Sequence, residues 1–519
     1  MGLARMKYPI GVQDFEDLRR NGYVYVDKTR QIYEIATHGK SYFLGRPRRF
    51  GKSLLLSTLE AYFLGKKELF EGLAIEKLET DWTVYPVLRL DLNTGEYLSD
   101  SGLESVLNVT LNSWERLYGS RDGEDTPSLR FKGIVERAYE KTGRKVVILV
   151  DEYDKPLLST FDNPGLQERY RSQLKAFYSV LKTQDRYIRF AFLTGVTKFG
   201  KVSVFSDLNN LNDISMDKRY ADICGITERE LHENFDSSIK ELADNAETTY
   251  EDICLKLKER YDGYHFCPDT AGVYNPFSLL NALDKKELGD YWYETGTPTF
   301  LVQLLKNNDY ELNDLQRQSV IASDLKNIDS TDRDPIPIIY QSGYLTIKSY
   351  DPEFRTYQLG FPNKEVESGF MDSLVPHYLS VSSSKARFSV TQFVKDVRRG
   401  DPEMFMTRLQ TFLENGDYRV AGDKEIYFQN VLFVIFKMMG LYTTVERATA
   451  RGRADIVIET PGYVYVIECK LDGSADEALR QIEECGYAKP YALDPRKLFK
   501  IGVNFSSQKR GIGEWKLEM

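Results

Sequence analysis

The sequence predicts an α/β protein of several units: an N-terminal parallel sheet wrapped by helices, a helical segment, a winged-helix-like helix–hairpin segment, and a smaller C-terminal α/β unit. Three observations predict it. Up to residue 225, short apolar runs alternate with longer helical patterns, which is how a parallel sheet with crossover helices reads. A mostly helical stretch follows, to residue 312. Beyond residue 386, two short strands stand between two helices. At 519 residues the chain exceeds a single core, and roughly 150 residues per domain gives three or four units. The expected boundaries are 1–225, 226–312, 313–385 and 386–519.

In order, the first unit offers strands at Ser41–Leu44, Pro86–Asp91, Val146–Val150 and Ile188–Thr194, compact runs with β-branched or aromatic residues. Unbroken hydrophobicity in Val146–Val150 marks a central strand buried on both faces. Thr227-Glu228-Arg229-Glu230 reads as a capping box, Thr227 at the N-cap and Glu230 at N3. Further on, Leu345–Ser349 and Tyr357–Leu359 form a hairpin across Asp351-Pro352-Glu353, following Ile336–Ile339. Serine-rich Ser380–Lys385 reads as a linker. The last unit contains a helix over Glu425–Met439, strands near Ala454–Ile458 and Val464–Glu468, and a helix over Ser474–Gly486.

Composition excludes several classes. Hydrophobic content of 42% with 28% charged residues is that of a soluble globular protein. The longest apolar run, Val431–Gly440, is broken by Lys437 and falls short of the ~20 residues of a membrane helix. The first residues lack a signal-peptide core and a myristoylation pattern, so the expectation is a cytoplasmic protein. Five scattered cysteines without C-x-x-C spacing and four unpaired histidines argue against disulfides and against zinc. A net charge of −9 gives no global attraction to nucleic acid, so such binding must rest on local basic clusters.

Two motifs carry chemistry. The first strand runs into Arg46-Pro47-Arg48-Arg49-Phe50-Gly51-Lys52-Ser53 and then into a helix from Leu54. That is the strand–loop–helix setting in which backbone N–H groups cradle phosphates, a lysine reaches the terminal phosphates and a serine helps hold Mg²⁺. The usual first glycine would fall at Arg46, with Gly45 one place early. Downstream, the strand Val146–Val150 ends in Asp151-Glu152. Asp151 is placed to bind Mg²⁺ and Glu152 to polarise an attacking water. A third strand ends in Leu193-Thr194-Gly195-Val196-Thr197, where Thr194 and Thr197 are equal candidates for a polar sensor between the acids and the phosphate. Arg48 and Arg49 either contact phosphate or pair with surface carboxylates.

The second motif is Asp455 with Glu468-Cys469-Lys470. Phosphodiester hydrolysis needs a metal held by carboxylates and a cation near the attacking water. Asp455 and Glu468 lie at the ends of neighbouring strands, and Lys470 shares a face with Glu468 by the period of a strand. Glu425 could add a metal ligand and Gln481 could orient Lys470 or the phosphate. Residues 423–519 hold 14 Lys/Arg and 14 Asp/Glu, so attraction to a phosphate backbone rests on Arg447, Arg451, Arg453, Lys509 and Arg510.

With these residues in view, the chain resembles the bacterial AAA-ATPase-like family that carries an arginine-rich phosphate loop and a C-terminal PD-(D/E)XK nuclease-superfamily domain. The likeness spans nearly the whole length. Its landmarks are Tyr8–Val12, Tyr25–Thr29, Arg46–Ser53, Asp151–Asp154, Tyr274–Ser278, Gly452–Asp455 and Glu468–Lys470. The resemblance implies that Gly296-Thr297-Pro298 belongs to a helical lid in which Pro298 packs on adenine, with Tyr25–Thr29 meeting the base from the other side. It implies ATP and Mg²⁺ as cofactors, with Ser53 and Asp151 holding one metal and Glu425, Asp455 and Glu468 another. The implied function is an ATP-driven switch controlling a nuclease that acts on nucleic acid, DNA before RNA, in defence against foreign DNA. The alternative is an ATP-regulated scaffold whose nuclease-like domain holds nucleic acid or protein without cutting. The sequence leaves homo-oligomer formation open.

Overall fold

The computed structural model describes residues 6–198, 211–293, 299–308, 310–312, 315, 319–321, 325, 334–379, 381–414, 424–440, 444–447, 455–506, 508–509 and 511–519. The chain divides into two compact units: residues 1–296 with 316–366, and residues 297–315 with 367–519. This division is coarser than the four expected units, and the expected 313–385 segment is shared between the two.

In the first unit, strands β1 (Ser41–Gly45), β2 (Val87–Asp91), β3 (Val146–Asp151), β4 (Ile188–Gly195) and β5 (Asn212–Asp213) form a parallel sheet in the order β2-β3-β4-β1-β5. The first four match their sequence expectations to within a residue at each end. All six residues of β3 are buried, because helices cover both faces of a central parallel strand. Burying each of its valine, isoleucine and leucine side chains contributes roughly 1.5–3 kcal/mol. Helix Lys52–Phe63 follows β1 and packs Leu55, Leu56 and Leu59 into the same core.

A helical layer follows. The short pair β6 (Ile226–Thr227) and β7 (Val273–Tyr274) brackets helices Glu228–Asn245 and Tyr250–Tyr261, and Pro276–Lys285 comes next. Their core is built from Leu231, Phe235, Ile239, Leu257, Tyr261 and Leu279, with Tyr8, Ile10 and Val26 from the N-terminal segment packed against it. The capping box forms as its spacing predicts: Thr227 Oγ1 accepts from Glu230 N at 3.2 Å, and Glu230 Oε2 accepts from Thr227 N at 2.8 Å. The same carboxylate takes Lys28 Nζ at 2.6 and 2.8 Å, in a pair only 10% exposed on each side. Asn275 caps the next helix through Ser278 N, and Pro276 occupies its first turn, where no N–H is needed.

The unit ends in β8 (Ser319–Ile321), helix Ile336–Gln341, β9 (Thr346–Asp351) and β10 (Thr356–Gly360), ordered β8-β10-β9. The helix–hairpin order is the one expected, with Tyr357 opposite Tyr350 and Gln358 opposite Ser349. Asp351 Oδ1 accepts from Glu353 N and Phe354 N and so fixes the turn.

In the second unit, β11 (Thr444–Arg447), β12 (Ile456–Glu459), β13 (Tyr463–Leu471), β14 (Lys497–Ser506) and β15 (Gly511–Glu518) form a sheet in sequential order. β13 and β14 run parallel and the other neighbours antiparallel. Helix Ala475–Glu484, capped by Ser474, places Leu479 and Ile482 on Val464 and Val466. Ser380–Lys385 is not a link between the units. It lies inside the second unit, and helix Ser383–Arg399 begins within it because Ser382 caps Lys385 N. Residues 310–312 join this unit through buried Asn430, which accepts from Leu312 N at 2.8 Å and donates to Tyr310 O at 2.9 Å. Among the described residues, no helix is long and apolar enough to cross a membrane, and all five cysteines are free thiols.

Candidate functional site

The loop between β1 and helix Lys52–Phe63 contains two left-handed residues, Arg49 (φ 66°) and Gly51 (φ 87°). Gly51 adopts that conformation without strain, whereas Arg49 does not. Left-handed residues in such a loop turn successive N–H groups to one side, the arrangement that receives anions. Lys52, 4% exposed, donates from Nζ to the carbonyls of Arg46 (3.1 Å) and Pro47 (3.2 Å) and lies 3.2 Å from Glu152 Oε1. Glu152 reaches it from a left-handed residue of its own (φ 51°), directly behind β3. Strain of this kind costs about 1–3 kcal/mol and persists where the surrounding structure dictates it.

β4 lies between β1 and β3, so its C-terminal end stands between the loop and the acids. The two threonines there have different partners. Thr194 Oγ1 donates to Asp151 Oδ1 at 2.7 Å. Thr197 gives both its amide and its hydroxyl to Asp154 Oδ2, each at 2.6 Å, and Val196 N adds a third donor. Asp154 is fully buried, and burial, with the Glu152 charge adding, pushes its pKa up to about 6 against the pull of the Thr197 bonds. A side chain at Gly195 would place its Cβ 2.6 Å from Asp154 Oδ1, so only glycine fits there.

The arginines divide as well. The sequence placed Arg46 among the phosphate contacts, but the structure closes it into the interior. It is 1% exposed, its guanidinium donates to the carbonyls of Gly45, Ser215 and Tyr220, and it lies 4.1 Å over the Phe266 ring. Arg48 and Arg49 are exposed, and among the described residues neither pairs with a carboxylate. The Arg49 guanidinium lies 3.9 Å over Phe277. Phe50 is a buried buttress, edge-on to Tyr264 at 4.8 Å. Ser53 and Leu54 occupy the first turn of the helix.

Beside Gly51 and Leu54 opens a mainly apolar pocket, lined by Tyr25, Val26, Lys28, Ile226 and Phe235 among others. Within Tyr25–Thr29, therefore, Tyr25, Val26 and Lys28 line this pocket. Asp27 and Thr29 instead hold the chain: Asp27 accepts from Thr29 N, Thr29 Oγ1 and Ala74 N. Gly296-Thr297-Pro298 lies outside the described residues.

In the second unit, register places Ile456 opposite Ile467, so Asp455 and Glu468 meet at the next position. Each carboxylate accepts an amide from the opposite strand: Asp455 N donates to Glu468 Oε2 at 3.2 Å, and Cys469 N to Asp455 Oδ2 at 2.9 Å. Lys470 Nζ lies 3.4 Å from Glu468 Oε1 and also donates to Gln481 Oε1, whose amide nitrogen is 3.3 Å from the Tyr487 hydroxyl. Gly502, paired with Glu468, lets helix Ala475–Glu484 approach closely; a Cβ there would sit 2.2 Å from Ala475 O. That close approach brings Gln481 within reach of Lys470. Glu468 is 2% exposed, and burial, followed by the Asp455 charge, pushes its pKa up to about 7. Two oxygen donors of like charge, one buried, suit a hard divalent cation. Glu425 lies in helix Lys424–Gly440 and Arg447 in β11, with side chains outside the described set. Arg451, Arg453 and Arg510 also lie outside it, and Lys509 is exposed.

Comparison with known proteins finds a match over each of the two regions. Residues 9–205 match the family model described as Predicted AAA-ATPase, and residues 423–515 match the PD-(D/E)XK nuclease superfamily. An uncharacterized protein from the vnfD 5′ region of Azotobacter chroococcum mcd 1 is 35% identical over 520 residues, covering 98% of each chain. The chain belongs to the AAA-ATPase-like family and carries a C-terminal PD-(D/E)XK domain. Its two domains are ATPase-like and nuclease-like. In this AAA-ATPase-like protein, sequence reasoning did not single out Asp154, Tyr487 or the Glu230–Lys28 pair as parts of either site. For Asp154 a signal existed, since an aspartate three residues beyond a buried strand is rarely left solvated at a sheet's carboxyl edge. For Tyr487 no local pattern points to Gln481.

Proposed function

We propose that this protein is an ATP-binding and ATP-hydrolysing switch coupled to a Mg²⁺-dependent nuclease acting on nucleic acid. The observation that carries the reading is that each constellation closes in space across different elements: Lys52 meets Glu152 from behind another strand, and Asp455 and Glu468 meet across neighbouring strands with Lys470 held between Glu468 and Gln481. In the first, the loop and the N-terminus of helix Lys52–Phe63 receive the phosphates, and the apolar pocket beside Leu54 receives the base. Lys52 moves from the Arg46 and Pro47 carbonyls to the terminal phosphates. That move releases Glu152, which then takes the proton of an attacking water. Thr194 keeps Asp151 oriented, and Ser53 and Asp151 are the residues that would hold Mg²⁺.

In the second, Asp455 and Glu468 would hold the metal. A divalent cation bound there supplies Lewis acidity at the scissile phosphate and lowers the pKa of water. Lys470, fixed by Gln481, keeps its charge beside the phosphate as negative charge builds. The deciding experiment incubates the full chain with single- and double-stranded DNA and RNA, in Mg²⁺ or EDTA, with and without ATP. Cleavage that needs Mg²⁺ and changes with ATP supports the reading. Binding without cleavage in every arm replaces it with the non-cutting scaffold.

A further inference from the structure

A phosphate loop must point N–H groups, not carbonyls, at its anion, and the Arg48–Arg49 peptide is where this loop is least secure. Peptide planarity sets the Arg49 N–H antiparallel to the Arg48 C=O, and no peptide here is cis. Turning that peptide over would carry Arg49 out of its left-handed conformation (φ 66°) into the range an arginine prefers. It would also swing the Arg48 carbonyl to the side where the N–H had been. Something must hold the strained orientation.

The Trp292 indole N–H donates to the Arg48 carbonyl at 3.0 Å. Trp292 is 6% exposed, with its ring 5.1 Å from that of Tyr344. Its own backbone N–H donates to Glu365 Oε1 at 2.8 Å, and the same oxygen accepts from Ser278 Oγ at 3.0 Å. Glu365 is 1% exposed, so these two donors hold it in place within the interior. Meanwhile Lys52 holds the two preceding carbonyls, those of Arg46 and Pro47. Three consecutive carbonyls are thus accounted for, and the third is held by a residue 244 positions away.

We infer that Trp292, seated by Glu365, is a positioning residue that keeps the Arg48–Arg49 peptide in its phosphate-receiving orientation. The inference rests on the nucleotide reading above. Calorimetric titration of the full chain with Mg²⁺–ATP and with adenosine tests it. Trp292→Phe keeps the ring and removes the donor; ATP affinity should fall about tenfold, the scale of one lost hydrogen bond, while adenosine affinity holds. Glu365→Gln, which retains an acceptor for Trp292 N, should stay within about twofold of wild type. In an Arg49→Gly background the left-handed strain disappears, so Trp292→Phe should then cost less than about twofold. Equal losses for ATP and adenosine, or an undiminished loss in the Arg49→Gly background, would reduce Trp292 to a packing residue. Wild-type ATP affinity in Trp292→Phe overturns this inference alone. A wild-type chain that binds no ATP overturns the nucleotide reading together with it.

Discussion

The two sites surround their buried carboxylates with different donors. Beside the phosphate loop, Glu152 has Lys52 at 3.2 Å, Asp151 takes a hydroxyl from Thr194, and Asp154 receives three donors from Val196 and Thr197. Glu152 and Asp151 each have a partner before any ligand arrives, while buried Asp154 keeps a raised pKa in spite of its donors. In the second unit Glu468 is buried against another carboxylate, with Lys470 at 3.4 Å and shared with Gln481. Its negative charge is incompletely met. The first arrangement suits a group that must be released on cue, and the second suits a group waiting for a cation.

The largest expected effect tests the second site. Lys470→Ala should cut Mg²⁺-dependent cleavage by about 10²–10³-fold while nucleic-acid binding, followed by gel shift, persists. Cleavage at the wild-type rate would remove Lys470 from the chemistry. Lys52→Ala comes next. Losing the cation that would face the terminal phosphates should cost at least about 2 kcal/mol of binding, so ATP affinity should drop by at least about 30-fold while circular dichroism reports an unchanged fold.

The third prediction sharpens the contrast through pH. Glu468 is raised from 4.5 to about 7 in the folded chain, so the folded state binds the extra proton between those values. Its contribution to stability is present below about pH 4.5 and lost as pH rises through about 7, on the order of 3 kcal/mol in all. Compared with Glu468→Gln, metal-free wild type should lose denaturant resistance across that window, and saturating Mg²⁺ should remove the difference. A flat difference between the two proteins would mean that Glu468 is already compensated. The smallest effect separates the threonines. Thr194→Val should slow ATP hydrolysis about tenfold with little change in melting temperature. Thr197→Val should instead cost about 1–3 kcal/mol of stability by stripping a donor from Asp154. Reversed outcomes would exchange their roles.

Much of this architecture was readable from local pattern. Strands β1 to β4 are apolar runs with clear ends, Thr227 and Glu230 stand at capping-box spacing, and Glu468 and Lys470 obey the two-residue period of a strand. The remainder depends on contacts that leave no local trace. Arg46 sits where a phosphate contact is expected, yet Ser215 and Tyr220, some 170 positions on, claim its guanidinium. Nothing near Thr194 or Thr197 reveals which one faces Asp151. A serine-rich stretch reads as a linker, but Ser382 is a helix cap. Within the second unit, residues 310–312 are tied down by Asn430, 118 positions from Leu312.

Glu230 carries one further consequence. A single carboxylate both starts helix Glu228–Asn245 and grips Lys28, which lines the pocket beside the phosphate loop. A rotation of that helix large enough to carry Glu230 away would therefore cost Lys28 its counter-ion and the helix its cap together. One side chain thus ties the start of a helix to the wall of the neighbouring pocket, and neither can be released without the other.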